Sequence, residues 1–96
     1  MAIVRVIARA EARDGKAKEL KALLGKMVMP TRLEPGCRYY ELFQSDKPGV
    51  FFFNELWNSD ADLKAHTRSA HFIEQFGKAK DLMKSPLEVH FLSEVE

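Results

Sequence analysis

The run Val50 to Trp57, Val-Phe-Phe-Phe-Asn-Glu-Leu-Trp, constrains this chain more than any other segment. Eight residues rich in aromatic and branched side chains, with no breaker, form a strand, and successive side chains of a strand point to opposite faces. Phe51, Phe53 and Trp57 then share one face with Glu55, while Val50, Phe52 and Leu56 share the other with Asn54. Both faces are apolar. A strand whose second face met water would alternate apolar and polar residues, so each face of this sheet needs a cover. The chain has 96 residues, enough for one domain over 1–96 and no separate cofactor-binding domain. Its own helices can cover one face, and a second copy is the economical cover for the other.

The remaining elements follow from periodicity and turn chemistry. Ala2 to Ala10 alternates branched residues with Arg5 and Arg9, as a first strand does. Asp14-Gly15 breaks it, and Asp14 is placed to cap a helix over Lys16 to Val28, whose Leu20, Leu23, Leu24, Met27 and Val28 form one buried stripe. Pro30 bends or ends that helix, and Glu34-Pro35-Gly36 signals a turn. Cys37 to Gln44 is a second strand, joined to Val50–Trp57 by Ser45-Asp46-Lys47-Pro48-Gly49 as an antiparallel hairpin. Ser59-Asp60-Ala61-Asp62 opens a helix carrying Leu63 and His66, and Thr67 or Ser69 restarts a turn before His71 to Lys80, with Phe72, Ile73 and Phe76 as its buried stripe. After Pro86, Leu87, Val89, Phe91 and Val95 alternate with polar residues in a last strand. The order β-α-β-β-α-β predicts a ferredoxin-like α+β fold with a four-stranded antiparallel sheet and helices on one face.

Several function classes are disfavoured. Fifteen basic against fourteen acidic residues leave a net charge of +1, too little field to hold a phosphate backbone, so nucleic acid is not an expected partner. The single Cys37 forbids an internal disulfide, and three His give no Cys-rich zinc site. Neither metal nor cofactor is expected. Met1 to Ala10 carries Arg5 and Arg9 inside its apolar run, which fits neither signal peptide nor membrane span. A cytoplasmic protein without membrane partners is the expectation.

The candidate chemistry sits in few residues. His66 and His71 are five apart, which does not place both on one face of a straight helix, although a break near Ser69 would let them converge. As a metal pair they are weak; each imidazole either caps a helix end or bonds a carbonyl, or lines a pocket as an acid-base group. Glu55, between Phe53 and Trp57, needs a partner or a raised pKa, and is a proton acceptor or half of an ion pair with His or Arg. Asn54, on the opposite face, reads as an inter-subunit contact. Trp57, Phe51, Phe53, Phe72 and Phe76 are core, or together line a flat apolar cavity suited to a polycyclic or quinone ligand, with the Tyr40 hydroxyl at its rim. Cys37 reads as a small buried hydrophobe, and Arg5 as the partner of Glu41 or Glu88 in a dimer interface.

Three features together resemble the antibiotic biosynthesis monooxygenase family: Glu34-Pro35-Gly36-Cys37 followed by Tyr40; Asn54-Glu55-Leu56-Trp57 ending a strand; and Leu63 to Phe72, Leu-Lys-Ala-His-Thr-Arg-Ser-Ala-His-Phe. The resemblance implies a dimeric α+β barrel, in which two sheets face each other. It implies a homodimer through the sheet face and an oxygenase that acts on quinol-like aromatics without metal or flavin. Trp57 matches a functional Trp of the antibiotic-tailoring branch, and Phe53 stands where that branch has Asn. In the haem-degrading branch the resemblance implies Asn, Trp and a haem-ligating His where this chain has Ala8, His66 and Phe76, which disfavours haem chemistry. The expected function is a cofactor-independent monooxygenase of a quinol-like or polycyclic aromatic small molecule, with His66, His71, Tyr40 and Glu55 placing or moving protons and Trp57, Phe53, Phe51, Phe72 and Phe76 binding the aromatic. The alternatives are a cofactor-free isomerase or tautomerase using the same His and Glu, and a non-catalytic dimeric binder of aromatic metabolites.

Overall fold

A computed structural model describes residues 2–95. The strands are β1 (Val4–Glu11), β2 (Cys37–Gln44), β3 (Val50–Trp57) and β4 (Glu88–Leu92), in one sheet of spatial order β2-β3-β1-β4. Every neighbouring pair is antiparallel. The helices are α1 (Ala17–Gly25), α2 (Val28–Arg32), α3 (Asp60–Thr67) and α4 (Ala70–Ala79), with a 3₁₀ turn at Lys80–Leu82. This is the ferredoxin-like α+β arrangement.

The core lies between the inner sheet face and the helices. Val6, Ala8 and Ala10 of β1 and Phe51, Phe53 and Trp57 of β3 are buried there with Leu20, Leu24 and Met27. The small side chains of β1 leave space for α1 and α4 beside the bulky rings of β3. The two middle strands have the clean alternation of buried and less buried residues expected of a sheet with one packed face.

Several boundaries differ from the sequence expectation for physical reasons. Asp14 does not cap α1: Gly15 takes φ +79°, a left-handed conformation that favours glycine, and the helix starts after Lys16 with no side-chain cap. The single helix expected over Lys16–Val28 is two, and Pro30 lies in the first turn of α2, where a missing N–H breaks no intrahelical bond. The second helical region breaks between Thr67 and Ala70, with Ser59 and Ser69 each accepting a backbone N–H at the start of α3 and α4. Ile73 is 61% exposed and does not belong to a buried stripe. Val89 and Phe91 of β4 are 44% and 65% exposed although they share the inner face.

The outer face carries Ile7, Phe43, Phe52, Leu56 and Leu92 at alternate positions, and Phe43 and Leu92 are 46% and 45% exposed there. Within the single chain Glu41 binds Arg32 and Glu88 binds His90, and no ion pair joins Arg5 to either acid among the described residues. Arg9 binds Glu11 beside it. No helix among the described residues is long and apolar enough to cross a membrane.

Candidate functional site

The break between α3 and α4 turns two histidines toward one acid. His66, at the end of α3, places Nδ1 2.7 Å from Oε2 of Glu34, and His71, in the first turn of α4, places Nε2 2.7 Å from the same oxygen. Glu34 reaches them from the turn before β2, which is fastened by Cys37 N–H to the Glu34 carbonyl and by Asn58 N–H to the Gly36 carbonyl. Gly36 is required there, since a Cβ would overlap the Asp62 side chain in the first turn of α3. A carboxylate only accepts, so both imidazole nitrogens facing it carry the proton. His66 is therefore the Nδ1–H tautomer, and its Nε2 is left with a lone pair.

The His66 ring is only 2% exposed. Its centroid lies 4.8 Å from that of Trp57, 5.1 Å from Phe72 and 5.4 Å from Tyr40. Burial among these rings pushes its pKa below the ordinary histidine value, against the opposing pull of Glu34. The imidazole is consequently neutral at neutral pH, as a general base must be.

His66 also lines a cavity of about 160 Å³ that Glu34 does not line. The sheet supplies Val6, Ala8, Tyr40, Phe53 and Glu55, and the helices supply His66, Phe72 and Phe76; Val89 and Phe91 of β4 stand at its open side. Phe72 and Phe76 stack with centroids 5.1 Å apart, giving one wall a flat aromatic surface. The polar residues in this otherwise apolar lining are few: Tyr40, Glu55, His66 and Thr67. Neither Glu34 nor His71 lines it.

Glu55 finds its partner on its own strand and not on a helix or an arginine: Trp57 Nε1–H donates to Oε1 over 2.9 Å. Burial pushes the Glu55 carboxyl up to about 7, with the Trp57 bond opposing and Glu34 adding to the rise. Trp57 itself is fully buried and is not among the residues that line the cavity. Phe51 likewise lies in the core away from the cavity. Tyr40 is buried in the wall and not at a solvent rim, and burial together with Glu55 raises its hydroxyl far above the phenol range. Cys37 is half-buried, and burial and Glu34 push its thiol up, away from the thiolate form that a nucleophile needs.

The sequence thus pointed to His66, Glu55, Phe53, Phe72 and Phe76 as residues that the structure brings to one cavity. It missed the role of Glu34, which reads as turn punctuation because its partners lie 32 and 37 residues away. The only signal was a carboxylate in a turn followed later by two histidines flanking a helix break.

A family model described as antibiotic biosynthesis monooxygenase matches residues 3–76. Rv0793 of Mycobacterium tuberculosis is 34% identical over 93 residues, which span 97% of this chain and 92% of that protein. Its solved structure superposes with a TM-score of 0.92 over 99% of this chain and 97% of the other. YcnE of Bacillus subtilis is 32% identical over 75 residues, 77% of this chain and 79% of that one. The names of Rv0793 and YcnE assign each a monooxygenase activity provisionally. PA3566 of Pseudomonas aeruginosa, at 28% identity, has a TM-score of 0.91, covering 100% of this chain and 97% of the other.

Proposed function

The chain belongs to the antibiotic biosynthesis monooxygenase family, and from that premise we propose that it is a cofactor-independent monooxygenase of small quinol-like aromatics whose base is His66 Nε2. The observation that carries this reading is the Glu34–His66 hydrogen bond behind an aromatic cavity. Glu34 holds the tautomer, burial keeps the ring neutral, and the free lone pair belongs to a ring that forms part of the cavity wall. A cavity of about 160 Å³ resembles the roughly 150 Å³ space that holds one benzene. It favours a single-ring substrate over a fused polycycle.

In this reading a ring hydroxyl gives its proton to His66 Nε2, and the resulting anion is electron-rich enough to reduce oxygen. One oxygen atom enters the ring and the other leaves as water. The quinol, becoming a hydroxyquinone, supplies all four electrons, so no external reductant is needed. Phe72 and Phe76 orient the ring, the Tyr40 hydroxyl donates to an oxygen that gains negative charge, and protonated Glu55 does the same from the sheet. His71 holds Glu34 from the far side.

Assembly is part of the same proposal. The apolar outer face and Asn54 Oδ1, a buried acceptor with no partner in the single chain, support a homodimer through the sheet. The protein is read as cytoplasmic.

The test is oxygen uptake with a panel of single-ring quinols under ¹⁸O₂. One labelled oxygen per product, at a rate far above autoxidation, is the expected result. Uptake no faster than autoxidation overturns the reading, and proton exchange into a ligand without oxygen consumption replaces it with an isomerase.

A further inference from the structure

The acid and two histidines behind the cavity have a second capability, and we propose that Glu34, His66 and His71 form a site for a zinc-class divalent cation whose occupancy switches His66 from base to proton donor. One carboxylate oxygen and two imidazole nitrogens, each a preferred ligand for such ions, lie within 4.8 Å of one another. They come from three separate elements, and both imidazole nitrogens converge on a single carboxylate oxygen at 2.7 Å. The inference concerns control of the site and rests on the role given above to His66.

Access and fit are both met. The Glu34 and His71 side chains are 15% and 20% exposed, while that of His66 is 3% exposed, so an ion enters from the solvent side and not through the cavity. Metal–ligand distances of about 2.1 Å in tetrahedral geometry set ligand atoms about 3.4 Å apart. Glu34 Oε2, now 2.7 Å from each nitrogen, must withdraw by about 0.7 Å, and the two nitrogens, which lie within 4.8 Å of one another, must settle about 3.4 Å apart; the partly exposed Glu34 and His71 side chains can make these shifts while His66 stays in place. The Ser69 hydroxyl, 3.1 Å from His71 Nε2, stands beside the site as an outer partner. Water completes the coordination.

The consequence for His66 follows from proton balance. A neutral imidazole that gives its Nδ1 lone pair to a cation carries its proton on Nε2. The ion displaces the Nδ1 proton, the ring is reprotonated at Nε2 from solvent, and no net proton is released. His71 undergoes the same exchange in reverse sense, from Nε2 to Nδ1. Presented to the cavity, His66 then offers N–H where it previously offered a lone pair, and it cannot accept a quinol proton. The cation lies outside the cavity and does not touch substrate.

The experiment titrates the purified chain with Co²⁺, followed by its visible absorption, and with Zn²⁺ against a chromophoric chelator. One equivalent per chain is expected, with affinity weakened at least tenfold by His71→Gln and by Glu34→Gln. His90→Gln, which removes the exposed His90–Glu88 pair, is expected to change nothing. Thermal unfolding of each variant establishes that it is folded, and His71, being partly exposed, is the substitution least disruptive to the core. Long-range ¹H–¹⁵N spectra are expected to show His66 Nε2 unprotonated without Zn²⁺ and protonated with it. No saturable binding below millimolar metal, binding lost in His90→Gln but kept in His71→Gln, or a His66 tautomer unmoved by Zn²⁺ would each overturn the proposal. None of these readouts uses turnover, so the metal site and the oxygenase reading fail separately.

Discussion

Oε2 of Glu34 lies 2.7 Å from Nδ1 of His66, and this one hydrogen bond fixes the proton of a buried imidazole on Nδ1. Glu34→Gln keeps the size of the side chain and loses its charge, and the amide can turn its NH₂ toward the ring and stabilise the opposite tautomer. Turnover of a quinol should fall by a factor on the order of 10² with KM little changed, since proton acceptance acts on the transition state and not on binding. Steady-state oxygen uptake measures both. A rise in KM at constant kcat would assign Glu34 to binding instead.

Glu55 supplies a prediction about stability. Its pKa in the folded protein is raised to about 7 from 4.5, so it favours the folded state fully below pH 4.5 and progressively less as pH rises through 7. A shift of this size corresponds to about 3 kcal/mol of stability absent above pH 7. Glu55→Gln keeps an acceptor for Trp57 and does not titrate. Its stability relative to the parent chain should rise between pH 4.5 and 7 and then level off, as urea unfolding at a series of pH values would show. His66, with a lowered pKa, works in the opposite direction, costing stability as pH falls below 6.5, and it is common to both proteins. A difference constant from pH 4.5 to 8 would contradict the buried, raised carboxyl.

Trp57→Phe separates support from binding. It removes the donor that Glu55 accepts from, leaving a buried polar group short of a partner at a cost of about 1–3 kcal/mol. Ligand affinity should be nearly unchanged, because the indole does not reach the cavity. Titration of a single-ring quinone by calorimetry, beside thermal unfolding, checks both halves; a tenfold loss of affinity without loss of stability would put Trp57 in the binding surface.

Gly36→Ala should destabilise by about 1–3 kcal/mol through overlap with Asp62, and should lower turnover by shifting Glu34 away from His66. Adding Asp62→Gly removes the obstacle, so the double variant should be more stable than the two single effects summed imply. Additive effects would mean that the turn and α3 do not press on one another.

Strands were the most legible part of the fold. Cys37–Gln44 and Val50–Trp57 were bounded correctly because aromatic, branched runs between Gly and Pro turns have no competing helical period. Helix ends were less legible, since Gly15 and Pro30 act through backbone conformation that composition does not display. In the site, the aromatic wall was visible as a group, but which ring faced the cavity depended on tertiary packing; Trp57 and Phe53 share a face and only Phe53 reaches it. The Glu34–His66–His71 junction was hidden because it joins a turn to a helix break across more than thirty residues, and no periodicity carries such a contact.

The account depends most on His66, and His66→Gln tests it directly by oxygen uptake at saturating single-ring quinol, with ligand affinity and unfolding measured on the same sample. Gln retains a polar side chain but accepts no proton near neutral pH. A folded variant with affinity close to that of the parent chain and kcat lower by a factor on the order of 10² is the expected result. A folded variant that turns over at the parent rate would contradict the assignment of His66 as the base.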